Sequence, residues 1–399
     1  MLPHPEHLAP VAGRPGVFSL LPVPLPRRLS LAEGLLELEN AAAAKGSLRA
    51  LWRGAPFRDN LTHVESRVEA ATLGLAASAR SDLLKLLIFE TSDDRTAPER
   101  HGPGRDIRSA VNCAAAFDHG LAQVRLHGRA AFTLGLLAEM HRLLCDGLTV
   151  PCVPGEFRSR PAPQRGTSRV LAPAPDHLPE ALADLEGFLR DPPPMPLALR
   201  LALVCGQIEA MMPFDYGSGL MAWLLLPLVA LAEGHPPVFL ASVLQRRRVQ
   251  YDESLQELLR TGRWDGWISF FLPAIAVAAT GASARIERVG DLRGEWNRKL
   301  AALRSDSTAR RLADLAIGQP VLTVNAAQDM LGVSFQTANA AVAALVRLGI
   351  VAAYANMRRN RIFVVRETLS MLGTEVLEAE PPRMPPGPRH DGDGRHHLS

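Results

Sequence analysis

Between Gly206 and Pro227 the chain reads GQIEAMMPFDYGSGLMAWLLLP, a polar helix end that runs into a glycine-rich turn and then into a strongly apolar helix. No other stretch restricts the fold as much. Gly217 and Gly219 let backbone N–H groups converge on an anion, and the helix expected from near Leu220 would aim its positive end at the same point. A pair of glycines ahead of a helix also makes a plain helix–helix corner, so the turn alone leaves phosphate binding and simple packing both open.

The remaining bounds are broad. A chain of 399 residues with 47% hydrophobic and 21% charged residues is long enough for two or three domains with real cores. A net charge of +3 does not announce nucleic acid by itself, although a sequence pI near 8.8 leaves room for a local basic patch. Lys45, Lys85 and Lys299 are the only lysines, so nearly all positive charge is arginine. Cys113, Cys145, Cys152 and Cys205 form no C-x-x-C pair and have no histidine at ligand spacing, so no metal site is expected, and a reducing cytoplasm suits them. No charged segment followed by an apolar one opens the chain, and Pro3, Pro5, Pro10 and Pro15 break any early helix, so a standard secretion signal is not expected. The most apolar run, Trp267 to Ala284, carries Pro273, Ser269, Thr280 and Ser283 and reads as a buried core helix, so no membrane partner is expected.

The central stretch resembles the signature of the Fic (Fido) family, H-P-F-x-(D/E)-G-N-G-R-x-x-R. Here it reads Met212-Pro213-Phe214-Asp215-Tyr216-Gly217-Ser218-Gly219-Leu220-Met221-Ala222-Trp223. The scaffold positions Pro213, Phe214, Gly217 and Gly219 match, as does the run-in Gln207-Ile208-Glu209. The chemistry positions differ: Met212 stands for the histidine, Tyr216 for the acid, Ser218 for the asparagine, and Leu220 and Trp223 for the two arginines. Further blocks follow the family in order. Leu21-Pro22-Val23-Pro24-Leu25-Pro26 resembles its L-P-P-P-L-P entry. Glu65 to Ala70 resembles the inhibitory helix (S/T)-x-x-x-E-(G/N) with Glu69 as its glutamate, read as a vestige because the arginine it would pair with is Trp223. Pro154-Gly155-Glu156-Phe157-Arg158 resembles P-G-x-F-R at the start of the hairpin flap over the target groove. Gly262, Trp264, Trp267, Phe270 and Phe271 resemble an aromatic packing segment.

The resemblance implies a mainly α fold: a Fic-type helical bundle with a short β-hairpin flap. A small α+β winged helix-turn-helix, also seen appended to Fic proteins, follows at 316–372. The divisions expected are a flexible arm over 1–20, an N-terminal helical region over 21–100, the Fic domain over 101–284, a helical connector over 285–315, and a disordered tail over 373–399. The first helix is expected from Ser30, with Leu31, Leu35, Leu38 and Ala42 on its apolar stripe, and a charged loop is expected over Thr91 to Arg105. In the helix from Thr133 to Leu144, Glu139, His141 and Arg142 are expected to face outward, with His141 structural. Arg158 is available to a carboxylate or to the flap's own backbone, while Pro161 and Pro163 interrupt the strand that would hold a target.

Fic enzymes transfer AMP, or another phosphate-containing group, from a nucleotide to a protein hydroxyl. That reaction needs a base, a metal at the phosphates and cationic stabilisation. A thioether at Met212 cannot take the proton, and a neutral tyrosine poorly replaces a magnesium-bound carboxylate. The reading is therefore a Fic-fold protein without the family's catalysis, a regulator that senses a nucleotide or a protein. The alternative is a transferase with altered catalytic residues, in which Asp215, Glu69 or a flap residue is recruited. The nucleotide implied is ATP with weak or no magnesium, through Phe214, Gly217, Ser218 and Gly219. The partners implied are a protein at the flap (Gly155, Phe157, Arg158), a second copy of the chain, and DNA. Gln336, Thr337 and Asn339 would face bases, and Arg358, Arg359 and Arg361 would face phosphates.

Overall fold

A single long helix, Asp265–Lys299, links the two cores of the molecule. At about 1.5 Å per residue it runs for roughly 50 Å. Its first half (Trp267, Phe271, Leu272, Ile275) enters the larger core, and its second half (Ala282, Ile286, Val289, Trp296) enters a smaller one. Over part of its length it is apolar and long enough to cross a membrane by composition alone, but its apolar face is occupied by these contacts. The computed structural model describes residues 7–11, 14, 16–21, 24–29, 34–74, 79–91, 105–162, 170–354 and 361–373. Residues 92–104 of the expected charged loop, Pro163, Arg358, Arg359 and nearly all of the expected tail lie outside them.

The fold is mainly α. In chain order the helices are α1 (Leu35–Gly54), α2 (Arg58–Gly74), α3 (Ala79–Thr91), α4 (Arg105–His127), α5 (Leu134–Leu144), α6 (Leu178–Arg190), α7 (Leu197–Met211), α8 (Ser218–Ala232), α9 (Ala241–Arg246), α10 (Arg248–Thr261), α11 (Asp265–Lys299), α12 (Thr308–Ala316), α13 (Val324–Leu331), α14 (Phe335–Arg347) and α15 (Arg366–Met371). The larger core is built around α7 and α8, whose side chains are buried almost throughout, as expected of helices that are apolar on every face. Arg67 of α2 ties three helices together, donating to both oxygens of Asp118 on α4 (2.7 and 2.6 Å) and to Glu90 on α3 (3.2 Å).

Three expectations, two about the N-terminal part and one about the flap, are corrected. The buried face of α1 is Ala41, Lys45 and Leu48, because α1 lies along α11, and Leu35 is left 64% exposed. Residues 8–10 and 18–20 are not a free arm. Strand β1 (Leu8–Pro10) pairs antiparallel with β2 (Phe18–Leu20), Leu8 opposite Leu20, and β2 pairs parallel with β3 (Val170–Leu171). Short strands of this kind gain from backbone pairing rather than from any apolar repeat, and Ser19 Oγ adds a bond to Ala172 O at 3.2 Å. Third, the Pro154 segment makes a turn with Gly155 at φ 83° and then runs extended, without a strand among the described residues.

In the smaller core, β4 (Val321–Leu322), β6 (Phe363–Val364) and β5 (Ala352–Ala353) form an antiparallel sheet in the order β4-β6-β5 against α12, α13 and α14. Ser334 Oγ accepts the Thr337 N–H at 3.3 Å and starts α14, and Gly349, at φ 64°, follows its end.

Candidate functional site

Helix α7 ends at Met212, the single described non-glycine residue with positive φ (46°), a left-handed conformation that costs about 1–2 kcal/mol outside glycine. The chain then turns through Pro213 to Gly217, at φ 76°, where Cβ would be strained, and α8 begins at Ser218. Every carbonyl in the first part of this turn has a partner. Arg158, 4% exposed, donates Nε to Met212 O (2.6 Å) and Nη2 to Met211 O (3.0 Å) and Pro173 O (2.5 Å), while its own N–H reaches Pro213 O (3.0 Å). Of its two expected partners, Arg158 takes the flap's own backbone through Nη1 to Arg160 O (3.1 Å), while its other bonds go to the motif turn and to Pro173 rather than to a carboxylate. Burial lowers its pKa, and the carboxylate of Asp215 opposes that shift.

His141 is the correction with the widest consequence. It is fully buried rather than outward-facing, stacked on Phe214 with ring centroids 3.8 Å apart and planes 8° from parallel. Phe157 stacks on the same phenyl ring at 5.0 Å. Nδ1 of His141 accepts the Gly155 N–H (3.0 Å), which leaves Nε2 as the protonated nitrogen, and Nε2–H donates to Tyr216 O (3.0 Å). Burial lowers the imidazole pKa and keeps it neutral, with the Tyr216 carbonyl opposing. His141 thus joins the flap turn to the motif turn through one ring.

The expectation that no histidine stands at ligand spacing to the cysteines is also corrected. His141 and Cys145 lie one turn apart on the same helix face, and the loop returns Cys152, so their ligand atoms lie within 4.8 Å of one another. The tautomer does not fit a metal at Nε2. A metal-bound imidazole donates its other N–H, whereas here Nδ1 faces a donor.

On the α8 side, Ser218 Oγ accepts the Phe214 N–H and donates to Phe214 O, both at 3.0 Å. Phe214 and Ser218 are buried, so what they offer a nucleotide is indirect. Gly219 lies against the buried Glu209 carboxylate, and a Cβ there would stand 2.9 Å from Oε1. Trp223 donates Nε1–H to Tyr251 Oη (3.1 Å), and Tyr251 donates to Glu209 (2.7 Å). This buried network was not anticipated from the sequence; the alignment of Trp223 with an arginine drew attention to what was lost there. A magnesium–triphosphate finds neither carboxylate nor cation at positions 212, 216, 218, 220 and 223, so those side chains do not fit it. Asp215, half-buried, is the acid of the turn.

Glu69 is not a loose remnant. It is 3% exposed, and its oxygens accept the N–H groups of Leu240 (3.1 Å) and Ala241 (2.9 and 3.1 Å) at the start of α9. It borders a cavity of about 270 Å³ that Glu65, Arg246 and Arg285 also line, and neither Gly217 nor Trp223 does. In the C-terminal part, Gln336 and Thr337 are exposed at the start of α14, Asn339 is half-buried, and Arg361 lies over the Phe363 ring at 5.7 Å.

Residues 131–230 match the model of the Fic/DOC family. Similar solved structures include a Fic family protein from Desulfovibrio desulfuricans G20, at 19% identity over 85% of this chain and 98% of that one, TM-score 0.49. Fic-1 from C. elegans is 22% identical over 65% of this chain and 72% of that one, TM-score 0.44. A Fic domain containing signaling protein from Bacteroides thetaiotaomicron is 15% identical over 63% and 97%, TM-score 0.48. No curated protein matches. The matched segment runs from just before α5 to near the end of α8 and so holds His141, the flap turn and the motif turn, and it is over this segment that the chain matches the Fic/DOC family.

Proposed function

We propose that this protein is a Fic-fold regulator that does not transfer AMP. The observation that carries the reading is the internal use of the motif turn. Arg158, His141 and Ser218 hold its backbone, and Met212 stands where a base is required. A thioether has no proton affinity to offer a target hydroxyl, and loss of a general base alone costs about 10²–10⁴ in rate. The shape of the family's nucleotide turn persists while its charges do not, which suits a ligand held weakly, without magnesium, or a protein surface held at the flap.

The test is incubation of the full chain with ATP labelled at the α-phosphate, with and without a bacterial lysate, and with Gly217→Ala as control. No label on protein is expected. Label that depends on Gly217 would overturn the reading, and the Asp215→Ala variant would then show whether that acid had been recruited. A parallel titration with ATP, with and without magnesium, measures whether the turn still binds a nucleotide.

A second role at residues 316–372 is supported by the exposed N-terminal turn of α14, where Gln336 and Thr337 stand clear beside Phe335, 52% exposed. This is the end of a second helix that meets base edges in helix-turn-helix proteins. Arg358, Arg359 and Arg361 would add phosphate contacts, giving a log–log salt slope of roughly −2 to −3 per module. Mobility shifts over a salt series test it. DNA binding that ignores replacement of the three arginines, or none at low salt, would favour a protein-docking role.

A further inference from the structure

The loop that joins α5 to the flap turn brings two thiols together. Cys145 Sγ lies 3.5 Å from Cys152 Sγ and 3.4 Å from His141 Nε2. The His141 tautomer does not suit a metal there, and both cysteines are free. Thiol contacts of this kind contribute little as hydrogen bonds, because S–H is a weak donor and sulfur a weak acceptor. Two oxidisable groups in contact therefore stand at the root of the flap with no packing or metal role that accounts for both.

The two ends of the loop are held differently. Cys145 closes α5, where its N–H donates to His141 O (3.2 Å) and Arg142 O (3.3 Å). Asn112 of α4, 3% exposed, clamps both sides of it, donating Nδ2–H to Leu144 O (3.0 Å) and to Asp146 O (2.8 Å). Cys152 is half-buried in an irregular segment between the exposed Pro151 and Val153, with its N–H on Val150 O at 2.9 Å. Sulfurs in a disulfide stand about 2.05 Å apart, so closing this pair needs an approach of roughly 1.5 Å. That movement falls on the Cys152 side, where a local loop bond, rather than a helix end and a buried amide, restrains the chain.

Access separates the two thiols as well. Cys145 is buried, and burial, followed by the hydrogen bond to Cys152, pushes its thiol up to about 12. Cys152 is the sulfur that a reagent meets first. A reachable attacking thiol beside a buried one that resolves the first adduct is the arrangement of a redox-sensing pair.

We propose that Cys145 and Cys152 are a reversible modification site, a disulfide made by exchange with a small-molecule disulfide, and that the bond fastens the flap turn to the end of α5. The Cys152 thiolate attacks one sulfur of the reagent and forms a mixed disulfide. One reagent thiolate leaves and takes up the proton that Cys152 gave. Cys145 Sγ then attacks Cys152 Sγ, the internal bond forms, and the second reagent thiol leaves with the Cys145 proton. Two thiols of the chain are oxidised and the reagent is reduced to two thiols. His141 already links α5 to the flap through the Gly155 N–H, three residues after Cys152, so the disulfide adds a second link between the same segments, one set by redox state. No residue of the motif turn takes part, so the bond does not depend on the absence of AMP transfer.

The experiment equilibrates the full chain in glutathione buffers of graded oxidised-to-reduced ratio, quenches with acid, alkylates the remaining thiols after unfolding and maps them by peptide mass. Cys145 and Cys152 should lose their free thiols together and regain them in dithiothreitol, while the fully buried Cys113 and Cys205 stay reduced. Cys145→Ser should stop at a glutathione adduct on Cys152, and Cys152→Ser should leave Cys145 reduced. In the oxidised parent the Gly155 amide should exchange for deuterium at least about tenfold more slowly than in the reduced one, a change that Cys152→Ser should not show. Thiols that stay free in the most oxidising buffer, a glutathione adduct on Cys152 as the parent's end product, or a bond from Cys152 to a second chain would overturn the site. A disulfide that forms without slowing exchange at Gly155 would overturn the fastening of the flap.

Discussion

Glu69 couples stability to pH, and the size of the effect follows from its surroundings. Burial is the largest influence on its carboxyl and raises the pKa from 4.5 to about 7, against the N–H groups of Ala241 and Leu240; Glu65 adds to the rise and Arg285 opposes it. An acid with a higher pKa in the folded state binds more protons folded than unfolded. Its contribution to stability is therefore full below the unfolded value, falls as pH rises, and levels off above the folded value. Each pH unit between the two costs about 1.4 kcal/mol, so about 3 kcal/mol is lost between pH 4.5 and 7. Glu69→Gln keeps a carbonyl oxygen for the Leu240 and Ala241 N–H groups and cannot ionise. Urea unfolding of both proteins from pH 4.5 to 8, followed by tryptophan fluorescence, should show the parent losing about 3 kcal/mol relative to the variant across this window, with no further divergence above it. Other groups that titrate, among them the half-buried His63 and the buried His141, are common to both proteins and drop out of the difference. A difference that stays flat with pH, or that runs the other way, would refute the argument.

Three further outcomes follow from packing and hydrogen bonding. Ser218→Ala leaves the buried Phe214 N–H without its acceptor and should cost about 1–3 kcal/mol in urea unfolding. Gly206→Ala should destabilise despite better helix propensity, since its Cβ would stand 2.7 Å from Trp264 Cζ3 and 2.9 Å from Trp267 Nε1, whereas Gly46→Ala on α1, with nothing within 4 Å, should gain about 0.5–1 kcal/mol. Calorimetry on the two variants would read opposite signs. Arg158→Lys keeps the charge but not the planar fork that spans Met211, Met212 and Pro173, so limited proteolysis should cut the segment around Pro154 faster.

What was legible in the sequence was written in local residue types. Gly217 at φ 76° announces the turn, Thr133 and Ser334 cap the helices they precede, and Gly349 stops α14. Each works within three or four residues, where sequence distance and spatial distance agree. The pairing of Phe18–Leu20 with Val170–Leu171 spans about 150 residues through backbone groups that every residue carries, so no composition could signal it. His141 looked peripheral beside Glu139 and Arg142, and its burial depends on Gly155 and Tyr216, which arrive from other segments. Glu69 shows the difference most sharply. Its family pattern directs attention to the side chain at position 223 and reads its loss as the loss of a purpose. Its partners in the fold are the N–H groups of Leu240 and Ala241, and neither residue type could identify them. A carboxylate that starts a buried helix needs no cation opposite it, so the substitution at Trp223 removes one reason for Glu69 to be glutamate and leaves another in place.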